Sequence, residues 1–228
     1  MTTESLQILL KRIWGYDTFR PGQEEIVHHI AMGHHGIALL PTGGGKSICF
    51  QVPGLAREAC TLVISPLISL MEDQVADLQR RGISALSLAG DIDNRAWDQV
   101  MDRAIAGEFS FLYLSPERAL SARFIRRIPY LPLGLLAIDE AHCISQWGHD
   151  FRPSYTQLGR LREKTAHLPC LAVTASATPE VLQDIQRLLH LEGAQVFRKS
   201  FARPNLAIHV HHSPQRERSL LQWIKPDH

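Results

Sequence analysis

Residues 37–47 constrain the chain more than any other stretch. A short apolar run, Ile37-Ala38-Leu39-Leu40, opens directly into Pro41-Thr42-Gly43-Gly44-Gly45-Lys46-Ser47. Three successive glycines let the backbone curl so that its N–H groups turn inward around phosphate oxygens, and a helix starting at the end of the loop adds its positive N-terminus. Lys46 is then placed to reach the β- and γ-phosphates, and the Ser47 hydroxyl to ligate magnesium. The strict form of such a loop has glycine five residues before Gly45, where this chain has Leu40.

Other apolar runs tell what carries the loop. Leu62-Val63-Ile64, Phe111-Leu112-Tyr113-Leu114, Leu135-Leu136-Ala137-Ile138 and Leu171-Ala172-Val173-Thr174 are apolar without alternation, the pattern of strands covered on both faces. They predict an α/β fold, a mostly parallel sheet flanked by helices on both faces. Helices are expected over residues 67–80, 94–106 and 179–189, the last with Thr178 as N-cap and Pro179 in its first turn. From Arg198 onward the character changes, and Phe201-Ala202-Arg203-Pro204-Asn205-Leu206 reads as a linker.

A phosphate loop needs acidic partners. Leu135-Leu136-Ala137-Ile138-Asp139-Glu140-Ala141-His142 has their form, a buried strand ending in two carboxylates. Asp139 would hold magnesium, usually through water, and Glu140 would polarise an attacking water. Upstream, Gly15-Tyr16-Asp17-Thr18-Phe19-Arg20-Pro21-Gly22-Gln23 contains a candidate base reader. The Gln23 amide can donate to and accept from adenine N7 and N6, an arrangement guanine does not match. Tyr16 or Arg20 could stack on the base; the competing reading of this stretch is an ordinary surface turn.

Composition narrows the remaining choices. With 228 residues, 45% of them hydrophobic, the chain can bury a sizeable core. The net charge of +1 gives no global basic field, so any nucleic-acid contact must be local. Cys49, Cys60, Cys143 and Cys170 form no CxxC pair, which argues against a zinc site or a disulfide framework and for a reducing, cytoplasmic setting. His34-His35 and His211-His212 lack companion ligands and read as surface histidines. No apolar run approaches the roughly 20 residues of a membrane helix. Four basic and eight acidic residues between positions 72 and 108 read as solvated helix faces.

In order along the chain, these stretches resemble the superfamily 2 helicases, and most closely the RecQ family. The matches are the adenine motif (16–23), motif I (40–47), Ser65-Pro66-Leu67-Ile68-Ser69-Leu70-Met71 with Asp73-Gln74-Val75 (motif Ia), Tyr113-Leu114-Ser115-Pro116-Glu117-Arg118, motif II (139–142) and Thr174-Ala175-Ser176-Ala177-Thr178 (motif III). The segment Cys143-Ile144-Ser145-Gln146-Trp147-Gly148-His149-Asp150-Phe151-Arg152-Pro153 resembles the aromatic-rich loop typical of RecQ.

The resemblance implies a RecA-like domain over residues 29–200. Before it stands an N-terminal helical segment with the adenine motif (1–28), and after it a linker and truncated start of a second lobe (201–228). It also implies ATP and Mg²⁺ as ligands, with Lys46, Asp139, Glu140 and His142 catalytic. Single-stranded or partly unwound DNA would be met through Ser65, Pro66, Ser115 and Arg118, and through Trp147, His149, Phe151 and Arg152, with Thr174 and Ser176 coupling the two ligands. Trp147 and Phe151 beside charged groups suit stacking on an unpaired base. Glu72 stands where family members often carry lysine, which would weaken attraction to phosphates.

The family's second RecA-like lobe supplies arginines to the γ-phosphate, and none of its motifs fits after Leu206. The expectation is a monomeric ATPase lobe of a 3′-to-5′ DNA helicase of repair and recombination, with slow turnover and no unwinding on its own. The alternative is a non-catalytic nucleotide- or DNA-binding module that acts with a partner.

Overall fold

The computed structural model describes residues 2–41, 43–88, 90, 93–199 and the single positions 210, 212, 214, 217 and 221. Thr42, His211 and the expected linker at 201–206 lie outside the described residues. The strands are β1 (Gly36–Leu39), β2 (Cys60–Ile64), β3 (Ala85–Leu88), β4 (Phe111–Leu114), β5 (Leu133–Ile138), β6 (Cys170–Thr174) and β7 (Gln195–Arg198). They form one sheet in the order β3-β4-β2-β5-β6-β1-β7, with every neighbouring pair parallel.

The five expected strands are the five inner ones; the two that sequence patterning missed, β3 and β7, are the edges. Ala85-Leu86-Ser87-Leu88 and Gln195-Val196-Phe197-Arg198 are each only partly buried, so neither shows the unbroken apolar run that betrays a strand covered on both sides.

Successive side chains of a strand point to opposite faces, and here they enter two separate cores. Leu62 and Ile64 of β2 join Trp97, Met101, Phe124 and Tyr155 on one face. Val63 joins Leu6, Trp14, Ile26, Phe50 and Met71 on the other. The first core is covered by α5 (Asn94–Ile105), α6 (Pro116–Ala119), α7 (Ala122–Ile125), α8 (Leu158–Lys164) and α9 (Pro179–Leu188). The second is covered by α1 (Thr3–Trp14), α2 (Gln23–Ala31), α3 (Ile48–Ala56) and α4 (Ile68–Arg80). Burying each large apolar side chain contributes on the order of 2 kcal/mol.

Helix ends follow the expected chemistry. Thr178 caps α9 by accepting from the Val181 N–H, with Pro179 in the first turn. His35 departs from the expected surface role: it is half-buried, and its Nδ1 accepts from the Cys170 N–H at 3.1 Å. All four cysteines are free and buried. No helix of the described residues is long and apolar enough to cross a membrane.

The topology brings distant residues together at the C-terminal ends of the inner strands. β6 lies between β5 and β1, so the acidic pair after β5, the glycine loop after β1 and Thr174 at the end of β6 all emerge side by side. With strands about 4.8 Å apart, the loop and the acids are separated by roughly 10 Å, within reach of a lysine side chain.

Candidate functional site

The glycine loop connects β1 to α3, and Ser47 stands at the helix N-cap with its hydroxyl making no capping bond. Gly45 has φ +73°, and a Cβ there would collide with the Gln23 amide nitrogen, so the position needs glycine both for its backbone and for its neighbour. Pro41, Gly43 and Gly44 complete the turn, and the Gly44 N–H donates to the Pro41 carbonyl at 2.8 Å. Lys46 Nζ reaches across β6 to Glu140 Oε1 at 3.0 Å, both side chains largely buried.

Asp139 leaves the end of β5 with 3% exposure, and its Oδ1 accepts from the Glu140 N–H at 2.9 Å. Burial pushes its carboxyl up to about 6, the neighbouring Glu140 charge adding to that. Burial also raises Glu140, but His142 and Lys46 more than offset it and hold that carboxyl below the usual range. Glu140 has left-handed backbone, φ +45°, a conformation that costs energy outside glycine and is characteristic of functional turns.

From Glu140 a chain of polar contacts runs outward. His142 Nδ1 lies 3.3 Å from Glu140 Oε2 and 2.8 Å from Thr174 Oγ1. The Thr174 hydroxyl donates to the Ser176 carbonyl at 3.1 Å, and the Ser176 hydroxyl sits 3.4 Å from His149 Nδ1. The rings of His142 and His149 stack at 4.1 Å with an interplanar angle of 16°. Motif II, motif III and the aromatic-rich segment therefore touch one another directly.

That segment is folded back on motif II. Gly148 sits so close to the His142 carbonyl that no side chain fits there. The Arg152 N–H donates to the Cys143 carbonyl at 2.9 Å, and its guanidinium donates to the Pro66 carbonyl at 2.9 Å while pairing with Asp150 at 3.3 Å. Phe151 is half-buried, while Trp147 is 75% exposed, a large indole held in solvent by a well-bonded turn.

Other expected contacts are placed less openly. Ser65 and Pro66 are buried, and the exposed residues of motif Ia are Leu67, Ile68, Ser69 and Asp73. Ser115 caps α6 by accepting from the Arg118 N–H. The Arg118 guanidinium lies over the Trp97 ring at 5.3 Å and donates to the Gly90 carbonyl.

The base-reading stretch sits beside the loop. Gln23, the first residue of α2, is buried; its Nε2 donates to the Gly44 and Gly45 carbonyls at 3.1 and 2.9 Å, and its Oε1 accepts from the Arg20 N–H at 2.9 Å. Arg20 also donates to the Gly43 carbonyl, and Tyr16 is 49% exposed. A cavity of about 380 Å³ opens here, lined by Trp14, Tyr16, Arg20, Gln23 and Ser47 on one side.

Asp73 and Gln74, expected in motif Ia, line the same cavity, and with them stand three residues that sequence reasoning missed: Gln51 of α3, Asp77 of α4 and Arg81 just after it. It also missed Tyr155, fully buried, whose hydroxyl donates to the Asp139 carbonyl at 2.9 Å and anchors the acidic turn from below. A tyrosine two residues past the aromatic-rich segment carries no signal of that role.

The sequence profile of the DEAD/DEAH box helicases matches residues 20–185. The chain is 46% identical over 205 residues to a probable ATP-dependent DNA helicase RecS of Bacillus subtilis, covering 90% of this chain and 41% of that protein. It is 46% identical over 198 residues to the ATP-dependent DNA helicase RecQ of Pasteurella multocida, covering 87% of this chain and 31% of that protein. The chain thus spans well under half the length of these relatives. In three dimensions it is similar to the Hef helicase domain of Pyrococcus furiosus, with a TM-score of 0.61 at 20% identity over 82% of this chain and 39% of that one. It is also similar to the DUF1998 helicase MrfA bound to DNA, with a TM-score of 0.64 at 16% identity over 85% of this chain and 28% of that one. At such identities these two likenesses concern the fold.

Proposed function

The chain belongs to the DEAD/DEAH box helicase family, and from that premise we propose that it is the ATP-binding lobe of a RecQ-type 3′-to-5′ DNA helicase. In this reading it hydrolyses ATP with magnesium and couples hydrolysis to single-stranded DNA, in repair and recombination. The observation that carries the reading is the contact of Lys46 with Glu140 at 3.0 Å, between a glycine cradle and a buried aspartate.

The residues have separable tasks. Lys46 exchanges Glu140 for phosphate oxygens when ATP enters, which frees the Glu140 carboxylate to orient and deprotonate the attacking water. His142 and Thr174 hold that carboxylate's other oxygen side in place. A divalent cation suits this site: Asp139 is buried, and among the described residues no Lys, Arg or His nitrogen lies within ion-pair distance of it. Asp139 and Ser47 would hold magnesium, which when bound neutralises triphosphate charge. Gln23, Tyr16 and Arg20 would receive the adenine.

Trp147 is the group best placed to stack on an unpaired base, with Phe151, Arg152 and the motif Ia residues alongside. The His149–His142 stack and the Ser176–Thr174 contacts give DNA occupancy a physical route to Glu140. In this reading residues 1–28 are the N-terminal helical segment with the adenine motif, 29–200 the RecA-like domain and 201–228 the linker and start of a second lobe, whose arginines would complete the γ-phosphate site. The free, buried cysteines suit a reducing cytoplasm.

The test is phosphate release from ATP with and without single-stranded DNA, for the wild-type chain and Lys46→Ala. Turnover that DNA stimulates and the substitution abolishes is the expected result. Nucleotide binding with no turnover in either condition would overturn the enzymatic reading in favour of a binding module.

A further inference from the structure

Two residues at the end of α4 that no sequence motif accounts for, Asp77 and Arg81, do more than line the proposed nucleotide cavity. Arg81, immediately after α4, forms a two-pronged ion pair with Asp77, at 2.8 Å through Nε and 3.2 Å through a terminal nitrogen. Its remaining terminal nitrogen donates to the Ile13 carbonyl at 3.0 Å. Ile13 lies in the last turn of α1, where main-chain carbonyls have no helical partner and a cation is favoured. Directly beyond it, Gly15 adopts φ +76° and the chain turns into Tyr16 and Arg20.

The stretch carrying the proposed base-reading side chains is therefore tied at its start, middle and end, with an exposed Lys11–Asp17 ion pair at 2.8 Å beside the middle tie. Arg81 ties its start to α4. The Gln7 side chain donates to the Asp17 carbonyl at 2.7 Å and ties its middle to α1. Arg20 and Gln23 tie its end to the glycine loop. Of these ties Arg81 alone comes from the end of α4, and it too lines the cavity. A guanidinium bound on both prongs by Asp77 has its third donor direction fixed, something a lysine at the same place does not reproduce.

We infer that Arg81, held by Asp77, is a positioning residue for base recognition: it sets the distance between the Tyr16 turn and the α4 wall, and through it the selectivity for adenine over guanine nucleotides. The inference rests on the proposed ATP site and names the residue outside its motifs that tunes it. Arg80 is the built-in control. It shares Asp77, at 3.2 Å, but is 75% exposed and bonds only within α4, to Ala76 and Asp77.

The experiment is fluorescence titration of the wild-type chain, Arg81→Ala, Arg81→Lys and Arg80→Ala with N-methylanthraniloyl derivatives of ATP and GTP, with melting temperatures measured alongside. Wild type and Arg80→Ala should share one ATP-over-GTP preference, whereas Arg81→Ala should lose roughly tenfold in ATP affinity with little change for GTP. Arg81→Lys, which keeps charge and stem but not the fork, should lie between them, and it serves as the reporter if Arg81→Ala does not fold. A selectivity ratio in the folded Arg81 variants equal to wild type overturns the inference while leaving the ATP site standing. Equal loss in Arg80→Ala overturns it as well, since the effect would then follow surface charge. A wild-type chain with no adenine preference removes the base-reading proposal itself and this inference with it.

Discussion

The glycine loop and the aromatic-rich segment both lie at the C-terminal ends of the inner strands, yet their side chains are held differently. Around the loop three of the polar groups already have internal partners: Lys46 with Glu140, the Gln23 amide with the Gly44 and Gly45 carbonyls, His142 with Thr174. In the aromatic-rich segment the backbone is bonded down through Arg152 and Gly148, but the Trp147 indole is left in solvent. In the proposed reading the first arrangement exchanges partners on binding and so responds to the ligand by rearranging. The second would offer a preformed surface and respond by being covered. If the contrast is sound, substitutions on the two sides should separate nucleotide effects from DNA effects.

The largest separation should come from Lys46→Ala. Removing a charge-stabilising donor from a phosphate-transfer site costs on the order of 10²–10³ in turnover, and the same variant should keep the single-stranded DNA affinity of wild type. Phosphate release and fluorescence anisotropy of a labelled oligonucleotide measure the two sides. A parallel loss of DNA affinity would show that the regions are not independent in the way their contacts indicate.

Asp139→Asn sharpens the same side through stability. The carboxyl ionises near 3.8 when unperturbed and at about 6 in the fold, so the folded state binds the extra proton between those values. Stability from this group is full below pH 3.8 and is lost as pH rises through 6. At neutral pH the buried charge is a cost of up to roughly 3 kcal/mol. Asparagine removes it while keeping an oxygen for the Glu140 N–H. The variant should therefore melt a few degrees above wild type at pH 7.5, with the gap closing in acid, and should fail to turn over ATP. Equal melting points at pH 7.5 would refute the cost of that buried carboxylate.

The two regions also differ in how far the amino-acid order announces them. Motifs I and II were legible because phosphate and metal chemistry restrict residue type at fixed spacing, and the inner strands because burial on both faces leaves unbroken apolar runs. Trp147 was legible as an aromatic among polar and glycine residues. The rest depends on pairings between remote positions. Asp77 and Arg81 look like a surface pair one helical turn apart, and nothing local shows that the same guanidinium meets Ile13, 68 residues away. Tyr155 is one aromatic among many until the fold sets its hydroxyl under Asp139. The edge strands β3 and β7 lack the pattern because half of their environment is not core.

On the aromatic side, Trp147→Ala should weaken single-stranded DNA binding by about 1–3 kcal/mol, the range for a base stacked on an aromatic ring. Because the indole is 75% exposed, the melting point should barely move. Nucleotide affinity without DNA should stay within twofold of wild type, and the stimulation of turnover by DNA should disappear. Loss of unstimulated nucleotide binding would mean that the segment belongs to the nucleotide site.

The smallest effect should fall between the two regions, at Thr174. Thr174→Val preserves shape but removes the hydroxyl that meets His142 Nδ1 at 2.8 Å and donates to the Ser176 carbonyl at 3.1 Å. His142 keeps its contact with Glu140 at 3.3 Å, so the carboxylate is not abandoned. One net hydrogen bond is worth about 1 kcal/mol, so basal turnover should fall only severalfold. The Ser176 end of the path to His149 is cut, however, while the His142–His149 stack persists. Stimulation by DNA should therefore drop by a larger factor than basal turnover. A uniform drop in both would place Thr174 in the support of Glu140 alone and leave the stacked histidines as the route between DNA and nucleotide.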